Sequence, residues 1–513
     1  MMNFFGCLLL GIYPIVSLWS INYQEVYSNE LMLEFGAFLL ITLIAWVSFY
    51  FLLSQKKPKV TFCTFVFLYM FVSFEHFFDS KGTIFIFLNR YFYLSYPLLL
   101  PIWISIFILI FLLIKNSSKS LIHYNNIFCL ITLSLFAVPT YKLIHELNKG
   151  SEASNIVFEK KECSLGYLPN IYHIILDRYP RQDTLKELYN YDNAPFINFL
   201  KKRNFYIADQ SLSNYHSTLL SIPSTISMEY LSIKPKTAQN IYQSSYSEYK
   251  QFCKSPLFPF FKEQGYKIIN VSSRCGFSLY NHHADLNLNM PYFSIFLPTL
   301  INRTFIGPFF RNLIKKHKFN IFTVPFIHYQ GVIQQFEQLK KIAKEQRSQP
   351  LFVFCHILSP HPPYIFNEKG LYAFFNEKNT IKSLQIKKYT DQIEGVNLYT
   401  KKTIETILDH SKNPPIILLH SDHGVNLIFK TKDLKAAKES FAILNTYHLP
   451  VIKNKAPNLY PSISPVNSWR MILNYYFQLD LPLLKDKSHI VPEPFSINFT
   501  PTQSNVINKT SYQ

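Results

Sequence analysis

The sequence predicts an α-helical membrane domain of about five spans followed by an α/β domain with a mostly parallel central sheet. Three observations predict it. The chain of 513 residues is 48% hydrophobic and only 16% charged, too apolar for a water-soluble protein of its length. Its long apolar segments all lie before residue 145, each close to the roughly 20 residues that cross a bilayer. Beyond residue 168, short β-rich apolar runs alternate with amphipathic stretches, the pattern of strands joined by crossover helices.

Candidate spans fall at about 3–20, 35–53, 60–78, 97–114 and 127–144. The third carries Glu75 and His76 at its end, with Asp79 just beyond. The first lacks the basic leader and small-residue cleavage site of a signal peptide, so it reads as a retained helix. Lys56, Lys57 and Lys59 lie between spans two and three, and Lys115 and Lys119 between spans four and five. The segment after span one carries Glu25 and Glu30 instead. Because basic loops stay cytoplasmic, everything after residue 145 is expected outside. The aromatic stretch 83–96 reads as lying at the outer interface.

The net charge of +19 reads as attraction to an anionic lipid surface. No Lys/Arg-rich run or zinc-finger spacing points to nucleic acid, and none is expected as a partner. Cys7, Cys63 and Cys129 fall within spans and read as small apolar residues. Cys163, Cys253, Cys275 and Cys355 fall outside, where disulfides persist, with Cys253 and Cys275 as the expected pair.

The expected organisation is a transmembrane domain at 1–145, a polar linker at 146–168, a catalytic domain at 169–490 and a loose polar tail at 491–513. Three strand candidates organise the catalytic part: NIYHIIL at 170–176, PLFVFCHIL at 350–358 and PPIILLH at 414–420. Ligands of open α/β sheets bind beyond the carboxyl ends of strands. Asp177, His356 with His361, and Asp422-His423 fall at those ends.

Taken singly, an aspartate after a strand reads equally as a cap or turn residue, and each histidine as a core or surface residue. Together, two carboxylates and an imidazole form a mixed oxygen and nitrogen site suited to one divalent ion, Zn²⁺ or Mn²⁺. Asp177, Asp422 and His423 would be its ligands. The stretch SNYHSTLLSIPSTIS at 213–227 offers hydroxyls that such an ion would activate, or else a Ser/Thr-rich capping loop. If a helix begins near Thr218, its free N–H groups favour an incoming phosphate. Arg178 and Arg181 follow Asp177 closely enough to bind the same anion.

The order of strand-Asp177, Thr-containing loop, His356-Ile-Leu-Ser-Pro-His361 and Ser421-Asp422-His423-Gly424 resembles the alkaline phosphatase superfamily. More closely, it resembles the membrane-anchored branch holding phosphoethanolamine transferases and lipoteichoic acid synthases. Thr218-Leu219-Leu220-Ser221-Ile222-Pro223-Ser224 is similar to the transferases' nucleophile run. The resemblance implies Thr218 as covalent nucleophile and metal ligand, with Asp177, Asp422 and His423 as the remaining ligands. It implies that His361 contacts the transferred phosphate and that His356 and Arg178 bind substrate. It also implies a membrane phospholipid donor, an envelope glycan or lipid acceptor, a monomer, and a multi-pass place in a bacterial inner membrane with the catalytic domain outside. Three departures stand out. Val425 replaces the transferases' glutamate, no histidine follows until His448, and Ser224 stands where they have cysteine. A single-metal site is therefore expected.

Two rivals bound the reading. A hydrolase of the same fold is one, either phosphodiesterase or sulfatase. Ser221-Ile222-Pro223-Ser224-Thr225 comes near the sulfatase C/S-x-P-S-R context but ends in threonine. A silent scaffold is the other, and the joint presence of Asp177, Thr218, Asp422 and His423 argues against it.

Overall fold

In the computed structural model, the described residues are 2–21, 31–78, 96–148, 158–231, 252–288, 300–307, 324–373, 381–425, 427 and 434–489, without 160, 253, 274–275, 302–303 and 305. Glu25, Glu30, most of the 83–96 stretch, the Cys253–Cys275 pair and the tail lie outside them. Cys7, Cys63, Cys129, Cys163 and Cys355 are free thiols. The chain divides into two compact units, Met1–Gly150 with Tyr292–Ile327, and Ser151–Pro291 with His328–Gln513.

The helical unit holds α1 (Met2–Ile21), α2 (Met32–Leu52), α3 (Lys57–Phe78), α4 (Tyr96–Asn116) and α5 (Ile122–Asn148). These match the five expected segments. Four contain stretches long and apolar enough to cross a membrane, and the apolar part of α1 is shorter, Phe4–Ser20. Leu33, Phe51, Leu113, Leu130 and Val138 turn outward and are 63–72% exposed. Such contiguous apolar surface is stable against lipid and not against water. The loop lysines have structural work too: Lys59 Nζ donates to Lys115 O at 2.8 Å and Ser117 O at 2.6 Å, capping the carbonyl end of α4.

The second unit runs β1 (Ile171–Leu176), α6 (Gln182–Tyr189), α7 (Ala194–Lys202), β2 (Tyr206–Ile207), α8 (Thr218–Ser227), α9 (Leu257–Glu263), β3 (Lys267–Val271), α10 (Gly276–Leu279) and β4 (Leu286–Leu288). It continues with α11 (Val324–Lys344), β5 (Leu351–Ile357), α12 (Lys382–His410), β6 (Ile416–His420), α13 (Leu434–Phe441), β7 (Asn445–His448) and α14 (Pro465–Phe477). The strands form one sheet in the order β2-β7-β6-β1-β5-β3-β4. The pairs β1–β5, β1–β6, β3–β5 and β3–β4 are parallel, while β7 runs against both neighbours. The sheet is therefore mixed and mostly parallel.

Both faces are covered, which is why its strands read as unbroken apolar runs. Alternate residues of β1 go to opposite cores. Tyr172, Ile174 and Leu176 pack under α6, α7, α11 and α12, while Ile171 and Ile175 pack under α8, α9 and α14. This strand order places β1 at the centre, flanked by β5 and β6. The three expected site segments thereby leave the sheet side by side.

Candidate active site

Asp177 extends β1 by one bond, its N–H donating to Ile357 O at 3.0 Å. Arg178 then turns the chain with φ +63°, the left-handed region that a residue other than glycine seldom enters without a tertiary reason. The reason is visible on both sides of the peptide. Arg178 N donates to Asp422 Oδ1 at 3.1 Å, and Tyr389 Oη donates to Arg178 O at 2.7 Å. Tyr179 N adds a bond to Ser421 Oγ at 2.8 Å.

The loop after β6 is laced just as firmly. Ser421 N donates to Leu444 O, Gly424 N to Ser440 O at 2.8 Å and Val425 N to Glu439 O at 2.7 Å. Residue 424 approaches that backbone so closely that only glycine fits: a Cβ would stand 2.2 Å from Glu439 O. Asp422 Oδ1 accepts from His423 N at 2.8 Å, which leaves Oδ2 for the site. His423 Nδ1–H donates to Gly424 O at 2.7 Å, so the lone pair of Nε2 faces the site.

Thr218 is the first residue of α8, following the extended Ser217. Ser221 Oγ, one turn on, donates to Asp422 O at 2.5 Å and pins the helix to the β6 loop. Thr218 Oγ1 thereby donates to Asp422 Oδ2 at 2.7 Å and lies 3.2 Å from His423 Nε2. His423 Nε2 is in turn 3.5 Å from Asp422 Oδ2 and 3.8 Å from Asp177 Oδ1.

Asp177, Asp422 and His423 offer ligand atoms all within 4.8 Å of one another. Asp177 is 2% exposed and its Oδ1 has no hydrogen-bond partner among the described residues. Burial opposes its ionisation, but His361, His356 and His423 together hold its carboxyl well below the usual range. Two carboxylates, an imidazole and a hydroxyl converging with an orphaned buried oxygen fit one divalent cation of the zinc or manganese type. No additional ligand comes from His448, which sits on β7 with Nδ1 bonded to Pro415 O at 2.8 Å. Val425 is buried against the first core.

The remaining expected residues separate. His361 is half-buried beside Asp177, its Nδ1–H given to Pro362 O. Burial first, with Arg178 and His423, lowers its pKa, partly offset by Asp177, so it is a neutral imidazole at pH 7. Arg178 has a buried Nε without a hydrogen-bond partner among the described residues. Arg181 instead turns away into a paired bond with Asp183, at 2.7 Å from both Nε and Nη2. His356, expected at the substrate, is fully enclosed: Nδ1 meets Ser278 Oγ at 2.9 Å and Nε2 lies 3.6 Å from Asp177 Oδ2. It stands behind the Asp177 carboxylate.

Four supporting residues escaped the sequence reading. Tyr389 and Ser278 lie on helices whose relation to the sheet no motif marks. The pair His173 and His420, with Nε2 atoms 2.7 Å apart, lies inside strands called simply apolar. Since His420 Nδ1–H donates to Ser421 O, its Nε2 accepts from His173 Nε2–H. A lone histidine inside each of two otherwise apolar runs was the available signal; in the pairing His173 lies opposite Leu418 and His420 opposite Ile175, so the two rings meet diagonally.

The sulfatase family profile matches residues 169–466. No curated protein matches the chain. Among solved structures, the C-terminal periplasmic domain of EcEptC from Escherichia coli is 13% identical with a TM-score of 0.42, over 67% of this chain and 96% of that one. Its complex with Zn is 12% identical with a TM-score of 0.43 over the same shares, 67% and 96%. The soluble domain of lipooligosaccharide phosphoethanolamine transferase A from Neisseria meningitidis is 13% identical with a TM-score of 0.37, over 63% and 93%.

Proposed function

Because the chain belongs to the sulfatase family of the alkaline phosphatase superfamily, we propose that it is a metal-dependent phosphotransferase. It moves a phospho-head-group, phosphoethanolamine or phosphoglycerol, from a membrane phospholipid to a cell-envelope glycan or lipid. The helices α2 to α5 hold it in a bacterial inner membrane, with the catalytic unit outside. The observation that carries the reading is Thr218 Oγ1, at the start of α8, 2.7 Å from Asp422 Oδ2 and 3.2 Å from His423 Nε2.

A divalent cation held by Asp177, Asp422 and His423 would lower the pKa of the Thr218 hydroxyl and offset charge on the phosphoryl oxygens. Asp422 Oδ2 already accepts the Thr218 proton in a hydrogen bond. The Thr218 oxygen forms a bond to the lipid phosphorus while the ester bond to diacylglycerol breaks, and the proton leaves with the diacylglycerol. Arg178, with its unmatched Nε–H, and the free amides of the first turn of α8 receive the phosphoryl oxygens. In the second half, His361 Nε2 takes the proton of the acceptor hydroxyl, whose oxygen bonds to phosphorus as the bond to Thr218 breaks, and that proton passes on to the leaving Thr218 oxygen and restores its hydroxyl. His356 is a positioning residue that holds Asp177.

The sulfatase route finds no support in Ser221, the residue its nucleophile position would require. Ser221 is fully buried and spends its hydroxyl on Asp422 O. The test is intact-mass spectrometry of the full-length protein after incubation with mixed phospholipids, wild type against Thr218→Ala. An adduct on wild type alone, with the mass of a phospho-head-group, is expected. Steady release of head group without an adduct would assign a hydrolase, and neither adduct nor release would overturn the proposal.

A further inference from the structure

The inward stripe of α2 is Leu31, Glu34, Phe38, Thr42, Ala45 and Phe49, at helical spacing of three and four. Thr42 returns its hydroxyl to Phe38 O at 2.9 Å, so every member but one suits an apolar bundle. Glu34 is the exception. It is 3% exposed, and its Oε2 has no hydrogen-bond partner among the described residues.

The surroundings are closely packed. A Cβ on Gly11 of α1 would stand 2.1 Å from Thr42 Oγ1, so α1 and α2 touch there. Further along, Ile15 and Leu18 of α1 pack with Leu31 and Phe38 of α2 and Phe71 of α3. Trp19 packs against the same cluster, and its buried indole Nε1 also lacks a partner among the described residues. A buried carboxylate oxygen and a buried N–H left unmatched in a membrane bundle are both unfavourable unless a ligand completes them.

We infer that this end of the helical unit binds the head group of a zwitterionic phospholipid carrying an ammonium. The ammonium donates to Glu34 Oε2, and the lipid phosphate accepts from Trp19 Nε1–H. One acceptor and one donor, both unmet, are the complement of such a zwitterion. A soluble divalent cation is a poorer match, since it takes six or more oxygen ligands and the stripe supplies one carboxylate. The approach is also lipidic: Met32 and Leu33, beside Glu34, are 76% and 72% exposed apolar residues. The lysines of the α2–α3 loop lie at the opposite end of α2, so Glu34 lies at the outer end of its span. As a donor-lipid site it rests on the transferase reading; as a lipid site it does not.

The test uses the full chain in nanodiscs holding equal phosphatidylethanolamine and phosphatidylglycerol, with retained lipid measured by native mass spectrometry after gentle extraction. Wild type and Thr218→Ala should both retain phosphatidylethanolamine preferentially. Glu34→Gln, which keeps the side-chain shape, should reduce that preference about tenfold, the value of one charge-assisted hydrogen bond. Trp19→Phe should reduce retention without restoring it to phosphatidylglycerol, and it serves if Glu34→Gln does not fold. Wild type without preference, or both variants with unchanged retention, would overturn the inference. A Thr218 adduct that forms while Glu34→Gln retains lipid normally would sink the lipid site alone. Glu34-dependent retention without any adduct would sink the transferase reading alone.

Discussion

Gly424→Ala is predicted to disable the site without touching a ligand. The new Cβ would lie 2.2 Å from Glu439 O, 2.8 Å from Ser440 C and 2.9 Å from Ser440 O. All three are backbone atoms and cannot rotate away. Ordinary contact begins at 3.4 Å, so the loop must retreat by 3.4 − 2.2 = 1.2 Å. That displacement breaks the Gly424 N–Ser440 O and Val425 N–Glu439 O bonds. Each is worth about 1 kcal/mol, and overpacking adds about 1–3 kcal/mol, so the total is about 3–5 kcal/mol. For a unit of this size that is a fall in Tm of roughly 10 °C. Asp422 and His423 immediately precede the glycine, and a shift of about 1 Å in catalytic groups costs about 100-fold in rate. Scanning fluorimetry of the full-length protein would be paired with the rate of Thr218 labelling. A Tm within about 2 °C of wild type with unchanged labelling would refute the close-approach argument.

Added Zn²⁺ or Mn²⁺ should raise the Tm of wild type, by up to about 4 kcal/mol of stabilisation at a thousand-fold excess over Kd. Asp422→Asn should lose most of that rise, and an equal rise in the variant would exclude Asp422 as a ligand. Stability should also fall on acidification from about pH 6.5 toward 4. Burial lowers the His420 pKa to about 4, and the unfolded chain binds a proton through that window while the folded chain does not. The folded state therefore loses up to about 3 kcal/mol as pH drops, and His173, which burial also depresses, adds to the loss. Metal-free denaturant titrations at pH 7 and pH 4.5 that gave the same stability would contradict the buried, neutral pair.

Much of the site was legible because a strand buried on both faces must stay apolar until it leaves the sheet. Asp177 and Asp422-His423 therefore marked strand ends without any knowledge of the fold. His356 shows where that logic stopped. It is one residue short of the end of β5, on the face shared with Phe352 and Phe354, so alternation turns it inward beneath Asp177. The five-residue offset to His361 was visible, but which of the two reaches the site depended on where the strand ends. Glu34 was legible in principle, since the stripe Leu31-Glu34-Phe38 has helical spacing, yet a hydropathy reading averages one acid away among so many apolar neighbours.

The sequence by itself determined the two kinds of architecture, the strands and the identities of the candidate ligands. Those follow from local patterns, the bilayer-length apolar runs and the polar residues closing each strand. Only the tertiary structure decided that β5, β1 and β6 are neighbours and that Thr218 begins a helix aimed at Asp422. The reason is distance along the chain. Thr218 and Asp422 are 204 residues apart, and their 2.7 Å hydrogen bond depends on sheet order and helix packing that no local segment encodes.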